Sequence, residues 1–237
     1  MSSGDRLSIA LLYPTVLGLY GDRGNASVLA HRAKARNIDA EILIIDPGMA
    51  VPDQADIYLL GGGEDIAQTT GCELLRADGG LARAHARDAV IFAVCAGMQI
   101  LGRSFPADGR IVDGLGLLDI VTTPGSPRAV GELLTEAIGV DLPTMTGYEN
   151  HGGRSRLGVG LKPLGRLVAG IGNGVDDGTE GAVLGHTLAT YMHGPALVRN
   201  PAMADLLLGW AVGKGLPPMD EPLVDALRTE RLSAVRK

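Results

Sequence analysis

Cys95 is the residue of this sequence that is best placed for covalent chemistry, because it joins an apolar segment to a segment of helical character. Ala89–Val94 is typical of a buried strand, and Ala96–Gln99 is compatible with the start of a helix. Small residues, Ala93 and Gly97, lie two positions before and after the cysteine, as a sharp strand-to-helix nucleophile elbow requires. Such a turn exposes the sulfur at a helix N-terminus, which favours the thiolate. Taken alone, the pattern also fits a buried core cysteine.

A cysteine nucleophile needs a base, and histidine is its usual partner. The sequence contains five histidines: His31, His85, His151, His186 and His193. His193 ends a predicted strand, Leu188–Met192, and is expected at the carboxyl edge of the sheet, where open α/β sheets bind ligands. His31 and His85 lie in helical stretches and are expected to face solvent, and His186 has no distinctive setting. Alone, His193 would be interpreted as structural; together with Cys95 it is the predicted general acid and base.

A glycine loop, Gly61-Gly62-Gly63, follows another predicted strand, Ile57–Leu60. Placed beside the elbow, its backbone N–H groups can stabilise an oxyanion together with the N–H of Ala96. An ordinary flexible turn has the same composition, so the loop supports the prediction of an oxyanion site but is not sufficient for it. No GxxxxGK[ST] loop occurs, and ATP is therefore not expected to bind through that motif.

The elements that position these residues alternate between strands and helices, which indicates βαβ units and a mixed, mostly parallel sheet in an α/β protein. A first helix is predicted from Asn25 to Arg36, and a helical region broken by Gly71 and Gly79-Gly80 precedes the cysteine. After Gly102 the pattern indicates short strands and turns. The predicted strands of the sheet are Ser8–Tyr13, Glu41–Ile45, Ile57–Leu60, Val90–Val94 and Leu188–Met192. We expect one domain over residues 1–214 and a tail over 215–237 with a weakly amphipathic helix around Leu223–Leu232.

Composition excludes several classes of function. The chain has 237 residues, a formal charge of −6 and a pI near 5.3, which argues against a nucleic-acid surface. No segment approaches the ~20 apolar residues of a membrane span, and residues 1–6 lack the layout of a signal peptide. The two cysteines, Cys72 and Cys95, form neither a disulfide framework nor a metal site. A reducing cytoplasm is the expected compartment, and Cys72 is expected to pack within a helix.

Four segments, taken together and in order, resemble the class I (triad-type) glutamine amidotransferases of the CobB/CobQ-like branch. Within that branch the chain is most similar to the GatD glutaminase subunits of lipid II isoglutaminyl synthase, through Tyr20–Asn25 and Gly147–Gly153. The resemblance covers roughly residues 7 to 213 and implies their three-layer, flavodoxin-like fold. The four segments are Gly61–Asp65, Val94–Gln99, Gly147–Gly152 and Tyr191–Pro195.

The resemblance implies a mechanism. Cys95 attacks the side-chain amide of L-glutamine, and His193 protonates the departing ammonia and then activates water against the thioester. The oxyanion would be bound by the N–H groups of Gly62, Gly63 and Ala96. Arg128 matches the position that binds the substrate carboxylate; without the resemblance it would be a solvated loop arginine.

Glu149 and His151 alternate along a predicted strand and therefore share one of its faces. They could form a second acid/base pair, but His193 fits the role of base to Cys95 better. We interpret Glu149 and His151 as residues of the site wall or of an interface.

Two features depart from the amidotransferase pattern. Pro195 occupies the position two residues after the histidine where an acid completes the triad, and the next acid, Asp205, lies in a predicted helix. Cys95 and His193 are therefore expected to form a dyad whose orienting carboxylate comes from elsewhere. The resemblance implies a Mur-ligase-like (MurT-type) partner as its source, and hence weak activity for the chain alone.

The second departure is the absence of a fused ATP-dependent amidation domain. A free-standing glutaminase implies a heterodimer whose partner binds ATP and Mg²⁺, receives ammonia directly and amidates the D-glutamate α-carboxylate of lipid II to D-isoglutamine. Such a chain would serve peptidoglycan synthesis, and hence cell-wall biogenesis and cell shape, and would itself need no cofactor or metal. Three alternatives remain open: an amidotransferase for another acceptor such as a corrinoid, a cysteine hydrolase or peptidase of similar fold, and a non-catalytic scaffold.

Overall fold

The computed structural model describes residues 6–18 and 22–235. Residues 1–5, part of the segment in which no signal peptide is predicted, lie outside this description, as do Tyr20 and Gly21 of the segment similar to GatD. In chain order the strands are β1 (Leu7–Leu12), β2 (Ala40–Ile45), β3 (Ile57–Leu60), β4 (Val90–Val94), β5 (Ser104–Ala107), β6 (Arg110–Asp113), β7 (Ile120–Ala137), β8 (Met145–Leu157), β9 (Gly165–Ala169), β10 (Thr179–Glu180), β11 (Ala182–Leu184) and β12 (Thr187–Thr190). The helices are α1 (Arg23–Ala35), α2 (Asp65–Asp78), α3 (Gly80–Ala86), α4 (Ala96–Leu101), α5 (Ala196–Arg199), α6 (Pro201–Val212) and α7 (Pro222–Val235).

The first sheet has the order β11-β12-β4-β3-β1-β2 and is parallel except at β11. Its central strands β3 and β4 are buried at every residue, as expected for apolar strands covered on both faces. The α1 crossover leads outward from β1 to β2, whereas the α2–α3 crossover leads from β3 to β4 in the opposite direction. Because such crossovers are right-handed, the two sets of helices cover opposite faces. The result is the predicted three-layer α/β fold, with flavodoxin-like strand order.

The order of this sheet reverses direction between β1 and β3. Ligand sites of doubly wound sheets form at such a switch point, outside the carboxyl ends of the strands. Cys95 follows β4, the glycine loop follows β3, and His193 follows β12 by three residues. The topology therefore brings the ends of these strands to one edge of the sheet.

A second, mostly antiparallel sheet has the order β10-β9-β7-β5-β6 and is built on the long hairpin of β7 with β8. The sequence predicted strands and turns in this region, but not that they form a sheet of their own. β8 alternates buried and partly exposed residues along most of its length, since one of its faces packs on the body of the protein. An isolated antiparallel bridge between Tyr148 and His193 joins this hairpin to the end of β12.

One predicted helix break is wrong. α2 continues through Gly71 and ends at Gly79, whose φ is +72°. A Cβ at Gly71 would lie 3.0 Å from Leu17 Cδ1, so this glycine lets the loop after β1 pack closely against the helix. Only the left-handed conformation at Gly79 ends the helix, in the way typical of a C-terminal glycine.

The tail contains the predicted helix, α7, and no residue of that helix is buried. The tail contacts the body through Leu216, which packs against the core, and through polar groups. Arg32 of α1 pairs with Glu221 and with Asp205 of α6, and Arg228 donates to the carbonyl oxygens of Thr144 and Arg199. Within the described residues, no helix has the length and apolar character needed to cross a membrane.

Candidate active site

Cys95 occupies a strained elbow between β4 and α4. Its φ of 54° and ψ of −107° lie outside the regions that non-glycine residues favour, a conformation that costs on the order of 1–3 kcal/mol and is concentrated at functional sites. The Cys95 N–H donates to the carbonyl of Thr190 (2.8 Å), which ties the elbow to β12. A Cβ at Gly97 would lie 2.8 Å from Leu60 Cβ. The elbow therefore needs glycine there, as the sequence pattern indicated.

Cys95 is only 6% exposed and does not protrude at the molecular surface. The expectation of an openly exposed sulfur is corrected accordingly: Cys95 borders a cavity of about 520 Å³ and is reached through it. Such a volume lies within the range of small-molecule sites. The cavity is also bordered by residues from the glycine loop, α2, α4, β7 and β8, among them Gly63, Gln68, Ala96, Gln99, Arg128, Asn150, His151 and Gly153.

His193 is held next to Cys95 by the pairing of β12 with β4, in which Thr190 lies opposite Val94. Its side chain is almost fully buried, with 3% exposed, and hydrogen bonds to Cys95. The N–H and C=O of His193 both bond to the backbone of Tyr148 (2.8 and 3.1 Å). Of the five histidines, His193 is the one that the structure places against the nucleophile.

Asp22 faces the other side of the imidazole. Both carboxylate oxygens lie 3.3 Å from His193 Nδ1, and Asp22 is 2% exposed. Asp22 precedes α1 in the N-cap position, yet its side chain makes no capping hydrogen bond. Instead Oδ2 accepts the N–H of Gly62 (2.8 Å). One buried carboxylate thus contacts both the candidate base and the glycine loop.

The expectation of a dyad that lacks its own orienting carboxylate is therefore wrong. The acid is not two residues after the histidine, where Pro195 stands, and it is not Asp205, which pairs with Arg32 and Arg36. It lies 171 residues before His193, in the loop after β1. This chain therefore carries, in Asp22, a carboxylate of its own beside the histidine ring.

The electrostatics favour a charged imidazole at this position. Burial alone would lower the pKa of His193, but hydrogen bonds to Asp22 and Cys95, together with the charges of both, raise it to about 10. Since Nδ1 faces Asp22, Nε2 is the nitrogen that can exchange a proton with Cys95. Near neutral pH the arrangement therefore favours the imidazolium form of His193, and a cationic histidine beside a cysteine is the setting that activates its sulfur.

The glycine loop contributes differently from what was expected. The Gly62 N–H donates to Asp22 and Gly62 does not border the cavity, which corrects its predicted role as an oxyanion donor. Gly63 and Ala96 both border the cavity and remain the candidate donors. A Cβ at Gly61 would lie 2.7 Å from the Leu17 carbonyl oxygen and 3.1 Å from Asp22 Cβ, so the loop can approach Asp22 only because it lacks side chains.

Arg128 is exposed at the rim of the same cavity, on β7. Its Nε donates to Asn150 Oδ1 (2.7 Å) and one terminal nitrogen donates to the Asn150 carbonyl (3.3 Å). Asn150 thus orients the guanidinium, and the group remains at the cavity, where it can bind a carboxylate through two parallel hydrogen bonds.

Glu149 and His151 are buried neighbours with different surroundings. The Glu149 carboxylate accepts the N–H groups of Ile171 (2.7 Å) and Gly172 (2.8 Å) and does not border the cavity. His151 borders the cavity, stacks on Tyr191 at 3.7 Å and lies 3.4 Å from Glu149. His151 therefore forms part of the site wall, whereas Glu149 holds a loop behind it.

A buried polar network that the sequence pattern did not predict reaches the cavity through Gln68 and Gln99. Gln68 Nε2 donates to Gln99 Oε1 (2.8 Å), and Gln99 Nε2 donates to the hydroxyl of Tyr191 (3.0 Å). Tyr191 also hydrogen bonds to Ser155 (2.6 Å). Gln99 lies four residues after Cys95, on the cavity side of α4, and that spacing was the available signal. Asp22 was missed as well, because an aspartate before a helix fits an ordinary N-cap.

The remaining candidates are excluded from the site by their positions. His31 is exposed, as expected, His85 is partly buried, and His186 pairs with Asp88 (2.9 Å). Burial raises the pKa of Cys72, a fully buried residue of α2, as expected for a packing cysteine. Within residues 6–18 and 22–235, no cluster of three or more His, Cys, Asp or Glu side chains could hold a metal ion.

A second cleft, of about 910 Å³, lies between α6 and the tail. None of the residues assigned to the cysteine site borders it, and its walls include Met145, Trp210 and Leu216. It is larger than the cavity at Cys95, but no cysteine is among the described residues that line it.

The carboxyl edge of the doubly wound sheet carries the cysteine elbow after β4, the histidine after the neighbouring strand β12 and the glycine loop after β3, on the other side of β4. A sharp strand-to-helix elbow of this kind is a recurring site of enzyme nucleophiles. Comparison with known proteins identifies the family. Residues 8–201 match the CobB/CobQ-like glutamine amidotransferase domain, and the chain belongs to that family.

Two relatives cover most of the chain. Subunit GatD of the glutamine-hydrolysing lipid II isoglutaminyl synthase of Staphylococcus aureus (strain N315) is 36% identical over 85% of this chain and 83% of its own length. The same subunit of Streptococcus pneumoniae (strain ATCC BAA-255 / R6) is 32% identical over 88% of this chain and 82% of its own. A crystal structure of a glutamine amidotransferase shares the fold, with a TM-score of 0.57 at 21% identity over 86% of this chain and 98% of that one. The protein is thus a glutamine amidotransferase by family and fold.

Proposed function

We propose that this chain is a glutaminase subunit that hydrolyses L-glutamine to glutamate and ammonia through a γ-glutamyl thioester on Cys95. The observation that carries the proposal is the buried row Cys95–His193–Asp22 beside a cavity of about 520 Å³. A nucleophile, a base and an orienting acid in contact are what covalent amide hydrolysis requires.

In the acylation step, the Cys95 thiolate attacks the side-chain carbonyl carbon of glutamine. Negative charge develops on the carbonyl oxygen, and the N–H groups of Gly63 and Ala96 stabilise it. The carbon–nitrogen bond then breaks as His193 transfers its Nε2 proton to the departing nitrogen, which leaves as ammonia. The thioester remains on Cys95, and the imidazole is now neutral.

In the deacylation step, His193 removes a proton from water as the water oxygen attacks the thioester. The carbon–sulfur bond breaks, glutamate leaves, and the thiolate–imidazolium pair is restored. Asp22 keeps Nδ1 protonated throughout, so that Nε2 is always the nitrogen that exchanges protons. The same carboxylate also holds the glycine loop through Gly62, which fixes the distance between oxyanion site and base.

Arg128 is proposed to bind the α-carboxylate of glutamine at the cavity rim. Its guanidinium is oriented by Asn150, and a fork of parallel donors selects a planar carboxylate better than an ammonium does. His151 and Gln99 would line the remaining wall. This arrangement favours an amino acid substrate over a peptide, whose internal residues carry no free α-carboxylate.

We further propose that ammonia passes to a Mur-ligase-like partner of the MurT type, which uses ATP and Mg²⁺ to amidate the D-glutamate α-carboxylate of lipid II. The support is the similarity to two GatD subunits across more than four fifths of each chain. Direct transfer is chemically necessary, because ammonia released into neutral water is mostly protonated and no longer nucleophilic. In this assignment the partner is an acceptor of ammonia, since the chain has its own Asp22.

The test is ammonia release from L-glutamine by the purified chain, alone and with a co-purified partner, followed by amidation of lipid II. We expect Cys95-dependent ammonia release by the chain alone, and D-isoglutamine only when partner, ATP and Mg²⁺ are added. Ammonia release without any amidation of lipid II would contradict lipid II as the acceptor and favour another acceptor, for example a corrinoid. Absence of glutamine hydrolysis in both preparations would refute the glutaminase proposal.

A further inference from the structure

A fully buried glutamate lies beneath the segment that leads from β12 to His193. Glu180, in β10, is 0% exposed. Its Oε1 accepts two hydrogen bonds, one from the hydroxyl of Thr190 and one from the N–H of Tyr191, each 2.7 Å long. The mechanism above makes no use of this carboxyl group.

The second oxygen of Glu180 is surrounded differently. Oε2 is buried and has no hydrogen-bond partner in the part of the chain that the structure describes. An ionised carboxylate in such a place would be strongly disfavoured, because Glu180 is fully buried and pairs with no cation among the described residues. A neutral carboxyl group tolerates the site far better.

The charged and titratable groups around Glu180 also favour its neutral form. Glu149 on β8 adds a negative charge, and Tyr191 contributes a buried phenol after β12. On β9, Arg166 pairs in register with Thr179, but its guanidinium binds Glu136 at the surface. Burial raises the pKa of Glu180 to about 7; hydrogen bonds from Tyr191 and Thr190 oppose the rise, and the charge of Glu149 adds to it.

Glu180 is connected to the catalytic residues through the backbone that follows β12. The Thr190 hydroxyl donates to Glu180 and accepts the N–H of Met192 (3.0 Å). The Thr190 carbonyl accepts the N–H of Cys95 (2.8 Å). The carboxyl group of Glu180 therefore holds the backbone between Thr190, which contacts Cys95, and His193.

We propose that Glu180, in its neutral form, is a positioning residue that holds the Thr190–His193 segment so that the imidazole meets Cys95. The proposal rests on the proposed glutaminase function for its kinetic readout. Glu180 touches neither substrate nor the reacting atoms. Ionisation of Glu180 places an unpaired charge beside Glu149 beneath this segment, which loosens it and lowers activity as pH rises past about 7.

Two substitutions test the proposal in the full chain. Glu180→Gln keeps the carbonyl oxygen that accepts both hydrogen bonds and cannot ionise; we expect kcat within about threefold of the wild type at pH 6 and no decline above pH 7 from this group. Glu180→Ala removes the acceptor, and we expect kcat to fall at least tenfold with KM changed less than threefold. Glu136→Gln, at the surface of the same sheet, is the matched control and should leave the pH profile unchanged.

The readouts are the pH dependence of kcat for ammonia release and the pH dependence of Cys95 alkylation by iodoacetamide, between pH 5.5 and 9. Alkylation measures the reactivity of the Cys95–His193 pair and needs no glutamine. It therefore tests the role of Glu180 even if the wild-type chain releases no ammonia. Absence of ammonia release would refute only the glutaminase proposal. The positioning role is overturned if Glu180→Gln retains the wild-type alkaline decline, or if Glu180→Ala matches the wild type in both readouts. If Glu180→Ala does not fold, the Glu180→Gln profile alone decides.

Discussion

Replacing Asp22 by asparagine should disable the base while leaving its shape in place. The Gly62 N–H requires an acceptor, so the asparagine oxygen is expected to take that position. The asparagine NH₂ then faces His193 Nδ1, which must act as an acceptor. This forces the proton of neutral imidazole onto Nε2, the nitrogen that has to receive the proton of Cys95.

The size of the effect follows from the environment of His193. Its pKa lies at about 10 instead of 6.5, which corresponds to about 5 kcal/mol in favour of the imidazolium. Loss of the Asp22 charge removes a charge-assisted hydrogen bond to the imidazolium, which is worth about 1.5–3 kcal/mol, or roughly 10–10²-fold in rate. The wrong tautomer adds to that, and substitutions of this kind in catalytic triads reach about 10⁴-fold in kcat. We therefore expect a decrease in kcat of roughly 10²–10⁴-fold, with KM for glutamine nearly unchanged.

The assay is steady-state ammonia release by Asp22→Asn, with Asp56→Asn as the control. Asp56 is a partly buried carboxylate at the amino edge of the same sheet, where it accepts the N–H of Ser8 (2.8 Å); its replacement should leave kcat within about threefold. Circular dichroism and thermal unfolding establish that both variants fold. If Asp22→Asn retained kcat within threefold of the wild type, Asp22 would not orient His193, and a carboxylate from the partner would again be required.

Three further outcomes are expected. Arg128→Ala should raise KM for glutamine at least tenfold with a smaller change in kcat, measured by the same assay. Arg110→Ala, which changes another arginine at the same cavity, is the control. Equal effects of the two substitutions would exclude a specific contact between Arg128 and the substrate carboxylate. Gly97→Ala should destabilise the fold by about 1–3 kcal/mol in urea unfolding, because its Cβ would lie 2.8 Å from Leu60 Cβ; an unchanged midpoint would show that the elbow can relax. The raised pKa of His193 means that its charged form stabilises the fold fully below pH about 6.5 and that this contribution is lost as pH rises through about 10. The difference in unfolding free energy between wild type and His193→Gln should therefore shrink over that interval. A constant difference would contradict the raised pKa.

The predictable part of the site was the part encoded locally. Cys95 is flanked by small residues within one elbow, and His193 directly follows a strand, so short windows of sequence sufficed for both. Asp22 could not be found in this way, because an aspartate before a helix is the ordinary pattern of an N-cap. Its role depends on the placement of β1 next to β3, which brings the loop after β1 to a histidine 171 residues away.

The fold shows the same division between local and long-range information. The alternation of strands and helices identified the parallel sheet, and Val90–Val94 and Ile57–Leu60 have the bounds that their apolar runs predicted. The second sheet was missed because its pairings join distant segments, such as β7 with β9, that carry no periodic signal of their partner. Gly71 was misjudged as a helix break because only tertiary packing against Leu17 explains a glycine there.

The most direct measurement of the central claim is covalent labelling by the glutamine analogue 6-diazo-5-oxo-L-norleucine, read by intact and peptide mass spectrometry. Because Cys95 borders the cavity and is paired with His193, we expect one adduct per chain, on Cys95, that L-glutamine suppresses and that His193→Ala slows at least tenfold. Cys72 should remain unmodified and serves as the internal control. Labelling of Cys95 that is indifferent to glutamine, or glutamine-suppressed labelling at a residue other than Cys95, would contradict a glutaminase mechanism at this site.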